Sequence, residues 1–141
     1  ALEAGIAFTN ASVTIIHGMS RPIGALFHVP HGTSNAMLIK VCLPFMLTGC
    51  YDRFADLGRA IGVAADDDDD KTAAEKFQAK VMAMVDEMGI PTPAQFGIDK
   101  DAFFKVIDKM ADDALTSGSP QNTWHQPSKE DLVGLYKKLW D

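Results

Sequence analysis

Apolar residues recur at helical spacing along most of the chain, and nowhere do they alternate at period two. Leu2, Ile6, Val13 and Ile16, interspersed with Ala4, Gly5, Ala7 and Ala11, fit a closely packed, largely buried helix that ends at His17-Gly18. In residues 18–34, Pro22, Gly24, Pro30 and Gly32 each interrupt regular structure for a backbone reason, which predicts a structured loop. Thr33 or Ser34 then caps a helix through Asn35, Met37, Leu38, Val41, Cys42 and Phe45, with Pro44 kinking or closing it. A further helix fits residues 51–61.

The second half is more regular. Five consecutive aspartates, Asp66 to Asp70, repel one another and predict a solvated loop whose charge favours the helix N-terminus that follows. Thr72 with Glu75 forms a capping-box pattern, and Phe77, Val81, Met84, Val85 and Met88 then make an amphipathic stripe closed by Gly89 and Pro91. The stripe recurs at Phe103, Ile107, Met110, Ala111 and Ala114, entered from Asp99 as N-cap. A last helix opens at Ser128, with Asp131 at the capping-box position, and buries Leu132, Leu135, Tyr136 and Leu139. The pattern predicts one all-α domain of about six helices over residues 1–141.

Composition narrows the picture. A chain of 141 residues with 47% hydrophobic and 23% charged positions is one globular domain with a core of its own. Thirteen Lys and Arg against 19 Asp and Glu give a net charge of -6, which excludes a basic nucleic-acid binder. The longest uncharged apolar stretch, Val41 to Tyr51, is 11 residues and contains a proline, against the roughly 20 a bilayer helix requires. No membrane partner is therefore expected. Cys42 and Cys50 lie about 12 Å of helical rise apart, too far for a disulfide within one helix, and free thiols suit a reducing cytoplasm. The chain starts at Ala1 with helical composition and no capping residue ahead, which predicts a piece of a longer helical region.

Few residues are suited to chemistry. Three of the four histidines, His17, His28 and His31, fall within 15 residues, in the segment that also holds Pro22, Gly24 and Pro30. Imidazole is the commonest metal ligand, and a stiffened backbone holds two imidazoles at fixed separation. The competing reading is that His17 caps a helix C-terminus and His31 bonds within a turn. Two histidines also leave a metal's coordination shell incomplete, and Glu3 lies about four turns from His17. The aspartate run lacks the Gly and terminal Glu of an EF-hand loop, and the chain contains no GxGxxG, GxxxxGK[ST] or GxSxG motif.

The window HGMSRPIGALFHVPHGTSNAM, residues 17–37, resembles the signature of the iron-containing (group III) alcohol dehydrogenases: a His, a Gly seven residues on, and a His-Gly pair fourteen residues after the first, here His17, Gly24, His31 and Gly32. AGIAFTNA at 4–11, EMGIPTPAQFGIDKDAF at 87–103 and the ending SKEDLVGLYKKLW also resemble family segments, so the likeness covers nearly the whole chain. The resemblance implies the C-terminal part of the all-α, dehydroquinate synthase-like metal-binding domain, with an N-terminal α/β domain that binds NAD or NADP and the first part of the helical domain lying outside the chain. It implies an Asp and three His as ligands of Fe2+ or Zn2+, His17 and His31 being the third and fourth, and Phe8 at the substrate pocket. The reaction implied is reversible hydride transfer between a small alcohol or aldehyde and nicotinamide, with the metal as Lewis acid, in a cytoplasmic homo-oligomer. None of the catalytic groups beyond the metal ligands is assigned to the chain, which is expected to be inactive alone.

Departures qualify the transfer. Arg21 stands where many relatives have a second His; beside a cation it is tolerated if it points away toward cofactor phosphate, and this makes it the cofactor-binding candidate. Lys40 replaces a Pro common in the family, Thr123-Trp124-His125 replaces an Asn-Pro-Arg stretch, and His28 matches no ligand. Alternatives are a zinc-dependent glycerol dehydrogenase-like enzyme, a metal-free maleylacetate reductase-like enzyme and a non-catalytic helical interaction module.

Overall fold

The computed structural model describes residues 2–141, and among them every regular element is helical. In chain order these are α1 (Leu2–Ala11), α2 (Ile15–Phe27), α3 (His31–Leu47), α4 (Tyr51–Ala60), α5 (Asp70–Glu87), α6 (Pro93–Phe96), α7 (Lys100–Lys105), α8 (Ile107–Thr116) and α9 (Lys129–Lys138), with a 3-10 turn at Pro120–Asn122. The all-α expectation holds, with nine α-helices among the described residues in place of about six.

Of the three extra helices, one arises near the start of the chain, where two expectations fail; the others are the short α6 and a break at Val106, φ -111°, that divides the helix expected from Asp99 through Ala114 into α7 and α8. The single helix expected to end at Gly18 is broken at residues 12–14, where Ser12 takes a left-handed φ of 65°, and α1 buries none of its residues. Leu2, Ile6 and Phe8 are 78%, 56% and 57% exposed, so the apolar and small residues of α1 face solvent. The expected loop at 18–34 is instead most of α2 and the start of α3. Pro22 lies inside α2, where it forgoes one backbone hydrogen bond, because the face carrying Ile15, Met19, Pro22 and Ile23 is buried and packing outweighs the lost bond. The chain reverses at His28, which takes φ 56° and donates its backbone N–H to the Gly24 carbonyl at 3.0 Å. Neither Thr33 nor Ser34 caps α3, which begins at His31 after Pro30, and α3 continues through Pro44 to Leu47.

Later helices follow their sequence signals closely. Ser128 and Asp131 form a capping box at α9, Asp99 accepts from the Ala102 N–H at α7, and Gly89 takes a positive φ after α5. At α5 the cap is Asp69, not Thr72: its Oδ1 accepts the Thr72 N–H at 3.0 Å. The aspartate run is also less free than expected, since Asp68 pairs with Lys76 at 2.6 Å and Asp70 with Arg59 at 2.9 Å.

One core cluster joins α2, α3, α7, α8 and α9 through Ile15, Met19, Leu38, Phe103, Met110, Leu132 and Tyr136, all fully buried. Each such side chain stabilises the fold by about 1.5–3 kcal/mol. Tyr136 donates its hydroxyl to the Met19 carbonyl at 2.8 Å, tying α9 to α2, and burial raises its pKa. A smaller cluster packs Leu43 and Leu47 of α3 and Ala74 of α5 with Phe54, Phe77 and Val81. The buried residues of α5 are Ala73, Ala74 and Val85, while Met84 and Met88 are 42% and 63% exposed, which corrects the expected stripe. The helix meets α4 through Ala73 and Phe77, the latter 5.8 Å from the Phe54 ring, and near its far end Val85 is buried and Asp86 pairs with Lys40 of α3. Cys42 and Cys50 are free thiols, and burial pushes the Cys42 pKa up to about 12. No single helix among the described residues is long and apolar enough to cross a membrane.

Candidate metal and substrate site

His17 is the third residue of α2, so it opens that helix rather than closing one. The start of α2 has no cap from Thr14; the Ile15 N–H instead donates to Thr123 Oγ1 at 3.1 Å, a bond from far along the chain that pins the turn carrying His17. Gly18 is required beside it. A Cβ there would meet the Pro120 ring at 2.7 Å, so only glycine lets α2 lie this close to the 3-10 turn. Gly24 leaves room for the return: a Cβ would press the Val29 carbonyl at 3.3 Å, in the link that delivers His31.

His31 is the first residue of α3, and its ring centroid lies 5.2 Å from that of His17 with the planes at 57°. A metal-nitrogen bond of about 2.0–2.1 Å puts a divalent ion roughly 3 Å from each ring centre, so two ligating imidazoles stand about 5 Å apart. The observed pair fits one shared cation. The pKa of His17 is lowered, first by burial and then by the charges of His31 and Arg21, which keeps its lone pair free for a metal. Among the described residues no third His, Cys, Asp or Glu joins them, so the donor set is half of a shell.

A cleft of about 480 Å³ opens beside the pair, walled by Phe8, Val13, Ile16 and Ile39 with His17 and Asn35 as polar neighbours. The sequence-based candidates thus divide. Phe8 and His17 line this cleft together, and His31 reaches the corner through its 5.2 Å approach to His17 rather than as part of the lining. Arg21 sits one turn after His17, exposed and outside the cleft lining. His28 serves as a backbone C-cap, and His125 stacks on Phe45 at 4.2 Å with Thr48 on its Nδ1. Two residues escaped sequence reasoning. Thr123 gives no local signal, because its partner is over a hundred positions away. Asn35 does: it lies four residues after His31 on α3, a spacing that places side chains on one helix face, and its Nδ2 is 3.0 Å from His31 Nε2.

The all-helical scaffold sets the His17–His31 pair beside an apolar cleft. Residues 1–140 match the family described as "Fe-containing alcohol dehydrogenase family, C-terminal", and the chain belongs to that family. It is 28% identical over 138 residues to lactaldehyde reductase of Escherichia coli (strain K12), covering 97% of this chain and 35% of that protein. With the NADPH-dependent butanol dehydrogenase of Clostridium saccharobutylicum it shares 26% identity over 138 residues, again 97% of this chain and 35% of the relative. The crystal structure of 1,3-propanediol oxidoreductase superposes with a TM-score of 0.86 at 26% identity, over 96% of this chain and 35% of that one. Alcohol dehydrogenase from Oenococcus oeni gives 0.83 at 29% identity, over 96% and 34%. The chain therefore spans about a third of the length of the relatives it matches.

Proposed function

We propose that this chain supplies two ligands, His17 and His31, and the Phe8 wall of the substrate cleft to an iron-dependent, NAD(P)-linked alcohol dehydrogenase acting on small alcohols and aldehydes. The approach of the two imidazoles to 5.2 Å at the edge of that cleft carries the reading. A bound Fe2+ or Zn2+ supplies Lewis acidity toward the alcohol oxygen, and imidazole nitrogens suit either ion. The chain's own contribution is positional. The first turns of α2 and α3 hold the two nitrogens on a packed scaffold, Phe8, Ile16 and Ile39 form an apolar wall that excludes water from the carbon end of a small alcohol, and exposed Arg21 offers a cation to the cofactor's phosphates.

Two imidazoles leave the shell open to an Asp and a further His contributed from outside these residues, and the nicotinamide cofactor belongs to an α/β domain beyond them. On this reading the 141 residues alone bind metal weakly and turn over no alcohol. The relatives support the reaction type: one is named lactaldehyde reductase and another NADPH-dependent butanol dehydrogenase. The test uses His31→Ala in the protein joined to its cofactor domain. Metal content and alcohol-dependent NAD(P)+ reduction should fall together, with the helical circular-dichroism signal unchanged. Full metal retention refutes the assignment.

A further inference from the structure

Asn35 has no part in the function proposed above, yet it touches one of the two imidazoles and lines the same cleft as the other. Its amide has one end at His31 Nε2, 3.0 Å away, while Oδ1 is buried and has no hydrogen-bond partner among the described residues. Two arrangements of the amide are chemically possible. With Nδ2 at the imidazole, an N–H donates to the Nε2 lone pair and a carbonyl oxygen is left unmatched. With the amide reversed, the oxygen accepts from an Nε2–H and a buried NH2 with two donors is left unmatched. An under-satisfied carbonyl is the more tolerable in an interior, since orphaned N–H donors are the rarer of the two. The first arrangement therefore prevails, and it has a consequence for His31: a neutral imidazole that accepts at Nε2 carries its proton on Nδ1.

We infer that Asn35 is the positioning residue of His31: its amide N–H donates to Nε2 and so selects the Nδ1–H tautomer, keeping Nε2 unprotonated beside a side chain that lines the cleft with His17. Nε2 is then the nitrogen offered to a divalent cation, and a cation that takes this lone pair releases the Asn35 N–H. The functional meaning rests on the ligand role proposed for His31, whereas the tautomer itself is a property of the metal-free protein, so the two stand or fall on different measurements.

The test is long-range 1H–15N NMR on metal-free protein labelled with 15N-histidine, at a pH well above the ordinary imidazole range, with His31 assigned by the loss of its signals in His31→Gln. The expected result is an unprotonated Nε2 and a protonated Nδ1. Asn35→Asp keeps the side-chain shape but replaces the donor with an acceptor, so His31 should switch, its Nε2 resonance moving to the protonated range. Asn35→Leu, which removes both functions, should shift the same resonance part of the way and gives an independent readout. A protonated Nε2 in the wild type, or a tautomer unchanged in both variants, overturns the inference. A tautomer that behaves as expected beside full metal retention in His31→Ala would instead locate the failure in the ligand reading.

Discussion

In the layer formed by α7, α8 and α9, the first and last helices open on side-chain caps, Asp99 and Ser128, and Phe103, Met110, Leu132 and Tyr136 are wholly buried against one another and against α2. The corner formed by α1, α2 and the first turn of α3 contrasts in its local signals, although α2 sends Ile15 and Met19 into the same core. Neither α2 nor α3 has a side-chain N-cap of its own, Pro22 interrupts one helix ladder, Ser12 and His28 take left-handed φ, and Asn35 Oδ1 is buried without a partner. Local rules agree with the global fold in the layer and are overruled by it in the corner. Such conflicts are expected where residues are held for chemistry rather than for stability, and the helices of this corner carry Phe8, His17 and His31.

Phe103→Ala tests the layer most severely. Its ring stacks on Phe27 at 5.4 Å and meets Trp140 edge-on at 5.3 Å, so truncation should cost about 3–5 kcal/mol in a denaturant melt. A loss under about 1 kcal/mol would show that this layer is not the stabilising core. Gly18→Ala acts at the boundary between the regions. Its Cβ would have to displace the Pro120 ring, and the expected overpacking cost is about 1–3 kcal/mol, with metal affinity falling because His17 is the adjacent residue. A neutral effect on both readouts would mean that α2 has room to move.

Smaller effects sharpen the contrast. Ser128→Ala should cost about 0.5–2 kcal/mol by removing the α9 cap. Within that box, hydrogen bonds from the Ser128 N–H and hydroxyl hold the Asp131 carboxyl below the ordinary carboxylate range. A depressed folded pKa means that the carboxylate's contribution is complete above the unfolded Asp value and is lost as pH falls through the folded one. Urea melts across the acid range should show that slope in the wild type and a shallower one in Asp131→Asn; identical slopes would refute the cap's role. Smallest of all is Met84→Asp. Although helical spacing assigns Met84 to a core stripe, its 42% exposure predicts a change within about 0.5 kcal/mol, and a loss above about 1 kcal/mol would restore the stripe reading.

The contrast also explains what the sequence discloses. Asp99, Ser128 with Asp131, and the apolar residues from Phe103 to Leu139 speak through short-range rules, caps and helical period, that the structure keeps apart from the break at Val106. Residues 18–34 speak through the same rules and mislead, because Pro22 and Gly24 are tolerated inside a helix whose packed face, Pro22 included, is buried, a fact that depends on residues 103–136. The pairing of His17 with His31 was legible only as a family spacing; the 5.2 Å approach requires the α2–α3 reversal at His28, which no periodicity signals. Met84 and Met88 mark the other failure: a stripe shows which face of a helix is apolar, and the neighbouring helices decide which part of it is covered, so Val85 is buried while Met84 and Met88 are not.

The central claim, that the two imidazoles form half of a metal site, is tested most directly by anaerobic titration of the 141-residue chain with Fe2+ and Zn2+, comparing wild type with the His17→Ala/His31→Ala double variant. The account predicts weak binding at one site, lost in the double variant. Binding that is indifferent to both substitutions, or tight binding that is instead abolished by neutralising Asp66 and Asp67, would contradict it.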